Sequence, residues 1–128
     1  MILSPLRRVM YSPSIYTNTN DLHNDDKSVL YQLNRTGSFI CLYVQPTGII
    51  PLLNRRFSIH EDGLLIRSTR KDDGVFTPFE TVSEISREGE VVLLRRENEK
   101  DLRIQISEDT SGETFVNLLS RSYDKFLQ

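Results

Sequence analysis

Five cations, Arg55, Arg56, Arg67, Arg70 and Lys71, flank one hairpin-like stretch of this sequence. Arg55 and Arg56 precede the strand-like run Phe57–Ile59, Glu61-Asp62-Gly63 reads as a tight turn, and the other three lie in or just beyond Leu64–Ser68. If the two runs pair, the cations converge at the open end of the hairpin. Guanidinium and ammonium groups gathered in this way can grip an anionic lipid headgroup, a phosphoinositide for example, or an acidic peptide. The same residues also fit a solvated loop in which Asp72 and Asp73 neutralise them. A second basic pair, Arg95-Arg96, is followed by Glu97 and Glu99, which points to local neutralisation.

Catalysis needs a convergent constellation, and the chain offers none. Its two histidines, His23 in a polar stretch and His60 beside a hairpin tip, have no suitably spaced Cys or carboxylate partners and read as surface side chains. Cys41 lies in an apolar run and reads as a buried structural thiol, since a nucleophile would need a base and partial exposure. The pairs Glu61-Asp62 and Asp72-Asp73 fall at loop tips, and no glycine-rich phosphate loop is present. The expectation is a non-enzyme without metal or cofactor.

Composition narrows the partners. Lys and Arg number 16 against 18 Asp and Glu, for a net charge of −2, which disfavours direct nucleic-acid binding. One cysteine allows no internal disulfide and fits a reducing compartment. The N-terminus lacks the apolar run of a signal peptide, and the longest apolar stretch, Phe39–Leu53, is too broken to span a bilayer. An intracellular protein, cytoplasmic or nuclear, with no transmembrane segment is expected, so the sequon Asn34-Arg35-Thr36 carries no meaning.

These residues need a scaffold, and hydrophobic periodicity supplies it. Residues 1–27 read as a flexible arm, though Leu3, Leu6, Val9, Met10, Ile15 and Tyr16 could give an edge strand or dock on the body of the domain. Residues 28–128 read as one domain. Val29, Tyr31 and Leu33 alternate with polar positions as a half-buried strand would, and Phe39–Val44 is apolar on both faces, as in a central strand. Ile49–Leu53 suggests a short edge strand. Strand-like runs separated by turns continue to Ile106, with Ser58 and His60 opposite Phe57 and Ile59. After a capping box at Thr110 and Glu113, Phe115, Leu119, Tyr123 and Phe126 take helical spacing. The class is mainly β (α+β): a half-open antiparallel barrel capped by one C-terminal helix. That helix should plug the barrel against Phe57, Leu64, Ile66, Leu93 and Ile104. Its outer face offers Asn117, Ser120, Arg121 and Asp124, with Tyr123 at the seam, as a partner surface beside a strand edge.

From Asn54 onward this order resembles the pleckstrin-homology-like (PH-like) superfold. The segment NRRFSIHEDGLLIRS looks like its second and third strands, FTPFETVSEI like the lead into its middle strands, and DLRIQISEDTSGETFVNLLSRSYDKFL like its last strand and capping helix. Members commonly carry a tryptophan in that helix; here there is none, and Phe115 takes the slot. SPLRRVMYSPS, LRIQIS and the closing helix are also similar to the PH-like domain of meiotic accessory proteins that support programmed DNA breakage. The resemblance implies an adaptor or scaffold module that recruits partner proteins or peptides, with headgroup binding as the alternative.

Overall fold

A computed structural model of the chain describes residues 12–46 and 54–128. Among the described residues, β1 (Ser14–Tyr16), β2 (Phe39–Gln45), β3 (Arg55–His60), β4 (Gly63–Arg67) and β5 (Val75–Pro78) form one sheet in that order. A second sheet holds β6 (Val82–Glu88), β7 (Val91–Arg96) and β8 (Leu102–Gln105). All pairings are antiparallel, and the two sheets do not close into one barrel. Helix α1 (Asn24–Gln32) precedes β2, and α2 (Thr110–Leu127) ends the chain. Two antiparallel sheets with a C-terminal helix are compatible with a PH-like fold.

The main core lies between the sheets under α2. Phe57, Ile59 and Leu64 from the first sheet meet Val92, Leu94 and Ile104 from the second, and Phe115, Leu119 and Tyr123 enter from α2. Phe115 stacks on Tyr43 with ring centroids 4.8 Å apart. Phe126 is 39% exposed and only leans on Phe79, so it borders the core instead of filling it. Leu93 is a correction. It pairs with Ser86 and Arg103 on the outer face of the second sheet, while its neighbours Val92 and Leu94 point inward.

The start of α2 also differs from expectation. Its N-cap is Asp109, whose carboxylate accepts the Gly112 N–H at 3.0 Å, and Thr110 is already helical. Glu113 reaches out to Arg87 and not back to the cap. Gly112 is required by a close approach: a Cβ there would lie 2.1 Å from the Ser107 carbonyl oxygen.

A second layer covers the other face of the first sheet. The segment Val29–Leu33, expected as a strand, belongs to α1 and its C-cap. His23 Nδ1 caps that helix by accepting the Asp25 N–H, and Asn34 at φ 57° ends it, with Arg35 N–H returning to the Leu30 carbonyl. The inward set Leu22, Asp26, Val29 and Leu30 has helical spacing, and placing Asp26 at a buried position hides that period from a purely apolar count. Leu22 and Leu30 pack on Leu42 and Leu65 from the sheet. Within the expected arm, then, residues 12–27 carry an edge strand, a 3-10 turn and the first turn of α1. Ile15 and Tyr16 do form the edge strand; Leu3, Leu6, Val9, Met10 and the Ile49–Leu53 stretch lie outside the described residues.

Truncating the fully buried Phe115 to Ala should cost about 3–5 kcal/mol, because it removes a large aromatic from the junction of both sheets and α2. A denaturant midpoint unchanged from wild type would contradict this packing.

Candidate functional site

The helix expected to carry the partner surface runs beside β6, which is hydrogen-bonded to β7 on one side and to no strand on the other among the described residues. Two contacts pin α2 there. At one end the Arg87 guanidinium makes a bidentate pair with the Glu113 carboxylate at 2.6 and 2.9 Å. That contact holds Glu113 below its usual carboxylate range and Arg87 above its own. At the other end the Tyr123 hydroxyl donates to the Val82 carbonyl at 2.6 Å. Burial raises the Tyr123 phenol, with Asp124 and Glu97 adding to the effect, so the donor proton stays in place.

Between these pins lie Glu84, Ile85 and Ser86 of β6. Ile85 and Val116 are half-buried against the main core and present apolar surface from strand and helix. Asn117, Arg121 and Asp124 are exposed and Ser120 is half-buried. Tyr123 is buried and its hydroxyl is spent on Val82, so it builds the seam and does not face a partner. Past the Arg87–Glu113 pair, an open depression of about 680 Å³ is lined also by Glu90, Glu108 and Asp109.

The basic hairpin is arranged differently from its sequence reading. The hairpin itself forms, with His60 opposite Gly63 across Glu61-Asp62. Its cations do not gather at a wet end. Arg55 and Lys71 are exposed. Arg56 and Arg67 face each other on the sheet surface beneath α1 and are buried there. One oxygen of Asp26, Oδ1, accepts from Arg56 Nε at 2.8 Å and from Arg67 Nη2 at 2.6 Å. Arg67 Nη1 also donates to the Arg70 carbonyl, and Arg56 to that of Asn54. Burial lowers the Arg56 guanidinium below its usual value, and Asp26 works against that shift. Arg70 Nε stands 3.8 Å from Asp25 Oδ2. Asp72, expected to neutralise this loop, instead accepts the backbone N–H groups of Ser68 and Gly74, which hold its carboxyl below the usual range. Arg95 pairs across the strands with Glu84 at 3.5 Å, and Arg96 with Glu99 at 3.1 Å.

Two residues weighed for chemistry are locked in place. Burial pushes the Cys41 thiol up to about 12, which keeps it protonated. His60, expected at the surface, is fully buried under the α1 layer. Its Nδ1 lies 3.1 Å from the Ser38 hydroxyl and its Nε2 2.9 Å from that of Ser58. Burial first, and the nearby Arg35 cation second, push it down to about 4. Among the described residues no three His, Cys, Asp or Glu side chains gather as a metal site requires, and no helix is long and apolar enough to cross a membrane.

Sequence reasoning missed Asp26 and Arg87, and gave Glu113 to the helix cap instead of to Arg87. For Asp26 the spacing Leu22–Asp26–Leu30 was the available signal. For Arg87 and Glu113 there was none, because the pair joins elements 26 residues apart.

Two stability measurements follow. His60 is neutral in the fold down to about pH 4 but titrates near 6.5 when unfolded. Its contribution is therefore complete above about pH 6.5 and is lost as pH falls toward 4, by an amount on the order of 3 kcal/mol. His60→Gln should remove that part of the slope between pH 7 and pH 5; an unchanged slope would contradict the assignment. Asp26→Ala leaves two buried guanidinium groups uncompensated and should cost about 3–5 kcal/mol in a denaturant titration.

No protein-family model matches this chain and no curated protein matches it, so its functional reading rests on geometry.

Proposed function

We propose that this chain is a non-catalytic, PH-like protein-interaction module, an adaptor or scaffold, that recruits a partner as an extended segment laid against the free edge of β6 beside α2. The supporting observation is that, among the described residues, β6 is bonded on one side only while α2 is pinned alongside it at both ends, which leaves strand edge and helix face together. An added strand would gain main-chain hydrogen bonds from the edge, and apolar anchors would bury on Ile85 and Val116. The carboxylates of Glu90, Glu108 and Asp109 near the Arg87 end favour a partner that is neutral or basic there. The likeness to meiotic DNA-break accessory proteins makes an intracellular, nuclear assembly the place to look for that partner. Headgroup binding is the competing reading, and its freely exposed cations are Arg55 and Lys71.

Photo-crosslinkers placed at Ser86 and at Asn117 should capture one common partner, and Arg121→Glu should weaken that capture without shifting the melting temperature, since Arg121 is an exposed helix position. The paired substitution Arg55→Glu/Lys71→Glu should leave it intact. Capture lost only in the paired variant, or binding to anionic vesicles in place of a protein, would overturn the β6-edge reading.

A further inference from the structure

We propose that residues 1–11 of the chain itself pass around the start of α2 onto the free edge of β6, so that the docking surface is occupied in cis until a partner displaces them. The proposal rests on the reading of β6 as a docking edge and names its resident occupant. Charge selects the segment. The depression of about 680 Å³ at the Arg87 end is lined by the carboxylates of Glu90, Glu108, Asp109 and Glu113, with Arg87 the one cation among the described lining residues. That guanidinium is spent, since it donates to both Glu113 oxygens and to the Gly89 carbonyl. Among the described residues no cation pairs with Glu90, Glu108 or Asp109. Residues 1–11 bring Arg7 and Arg8 and contain no Asp or Glu. The planar donor fork of arginine suits carboxylate acceptors.

Reach and order complete the match. The Pro13 carbonyl accepts the Ser111 hydroxyl at 3.3 Å, in the first turn of α2. Pro13 also shares a pocket with Ser107, the neighbour of Glu108, so the chain enters the described structure beside the depression. Arg8 lies five positions before Pro13, an extended reach of about 17 Å. That exceeds the diameter of a helix, about 10–12 Å, so both arginines can come round α2 into the depression. Further out along the segment stand Leu6, Leu3 and Ile2. Further along the surface stand Ile85 on β6 and Val116 on α2, both half-buried. Six extended residues span about 20 Å, enough for the roughly 17 Å of β6 between Arg87 and Val82. Tethering presents the segment at an effective concentration on the order of millimolar. Pro5 has no N–H and leaves its main-chain ladder incomplete, so a partner offering an uninterrupted strand can replace it.

In the full chain, a photo-crosslinking amino acid in place of Leu6 should link within one chain to β6 or to residues 116–120 of α2, read by mass spectrometry of the monomer band. Arg7→Glu/Arg8→Glu in that background should abolish the links and quicken amide exchange in β6 by about tenfold, as release of an edge occupied about nine-tenths of the time would. Adding Glu90→Lys and Glu108→Lys to the reversed segment should restore both, because the charges are complementary again. Links to other faces overturn the proposal, as do links and exchange indifferent to the reversal, or a charge swap that restores neither. Links between two chains also overturn it, and make the occupant a second copy. The docking reading fails separately. A partner captured at Ser86 with no link from position 6 overturns only the occupancy in cis. Links in cis with no partner captured leave the occupancy standing and remove the recruitment.

Discussion

Helices α2 and α1 bury the two faces of the same strands, and that double cover decides what each side chain of β3 and β4 must do. On the α2 side the alternating residues Phe57, Ile59 and Leu64 meet a large apolar core. On the α1 side the alternation delivers Arg56, Ser58, His60 and Arg67 beside Leu65, and all five are buried. A polar face can be buried only if every group on it is answered. Asp26 answers the arginines, and the hydroxyls of Ser38 and Ser58 answer both nitrogens of His60. Among the described residues, the Nε–H groups of Arg67 and Arg70 have no partner, and there that answer is incomplete.

This explains which parts of the molecule were legible in the sequence. The main core was visible because its strands have one apolar face and its helix keeps an apolar stripe; Phe115 and Leu119 are both fully buried. The β3–β4 hairpin followed from Asp62-Gly63. The errors cluster where a polar residue sits inside. Asp26 interrupts the apolar stripe of α1, so Val29, Tyr31 and Leu33 read as strand alternation. Ser58 and His60 look solvent-facing because nothing local announces a second layer. Leu93 was placed inward because Val91-Val92-Leu93-Leu94 is apolar throughout and gives no phase; the cross-strand partners Ser86 and Arg103 set it.

The exposure of the helix face offered as the candidate site was legible, and its contacts were not. Asn117, Arg121 and Asp124 were correctly placed on the open side of α2, since helical periodicity fixes the face opposite Phe115 and Leu119. Tyr123 belongs to both the stripe and the seam, and periodicity could not tell that its hydroxyl would find Val82. The basic hairpin failed as a cluster for a geometric reason. Strand alternation sends Arg56 and Arg67 to the α1 face, and the acid that receives them lies 30 residues upstream of Arg56.

Strand β6 is proposed as the docking edge because of how the other described edges are finished. The first sheet ends in β1, which has only three residues, and in β5, which ends in Pro78 without an N–H to offer. At β8 the Gln105 carbonyl is taken by the Gln45 side-chain amide at 2.6 Å, and the neighbouring Ser107 N–H donates to the Tyr43 hydroxyl, so the two sheets are stitched together there. Strand β6 has seven residues, and its Val82 carbonyl is held by the Tyr123 hydroxyl. Unpaired strand edges invite association, and proteins commonly blunt them with charge or a bulge. The register shift between Val82 and Glu84 and the charges of Glu84, Arg87 and Glu88 do this for β6 against indiscriminate pairing. A partner that engages the edge must therefore match α2 as well as the strand, and that double requirement is a source of specificity.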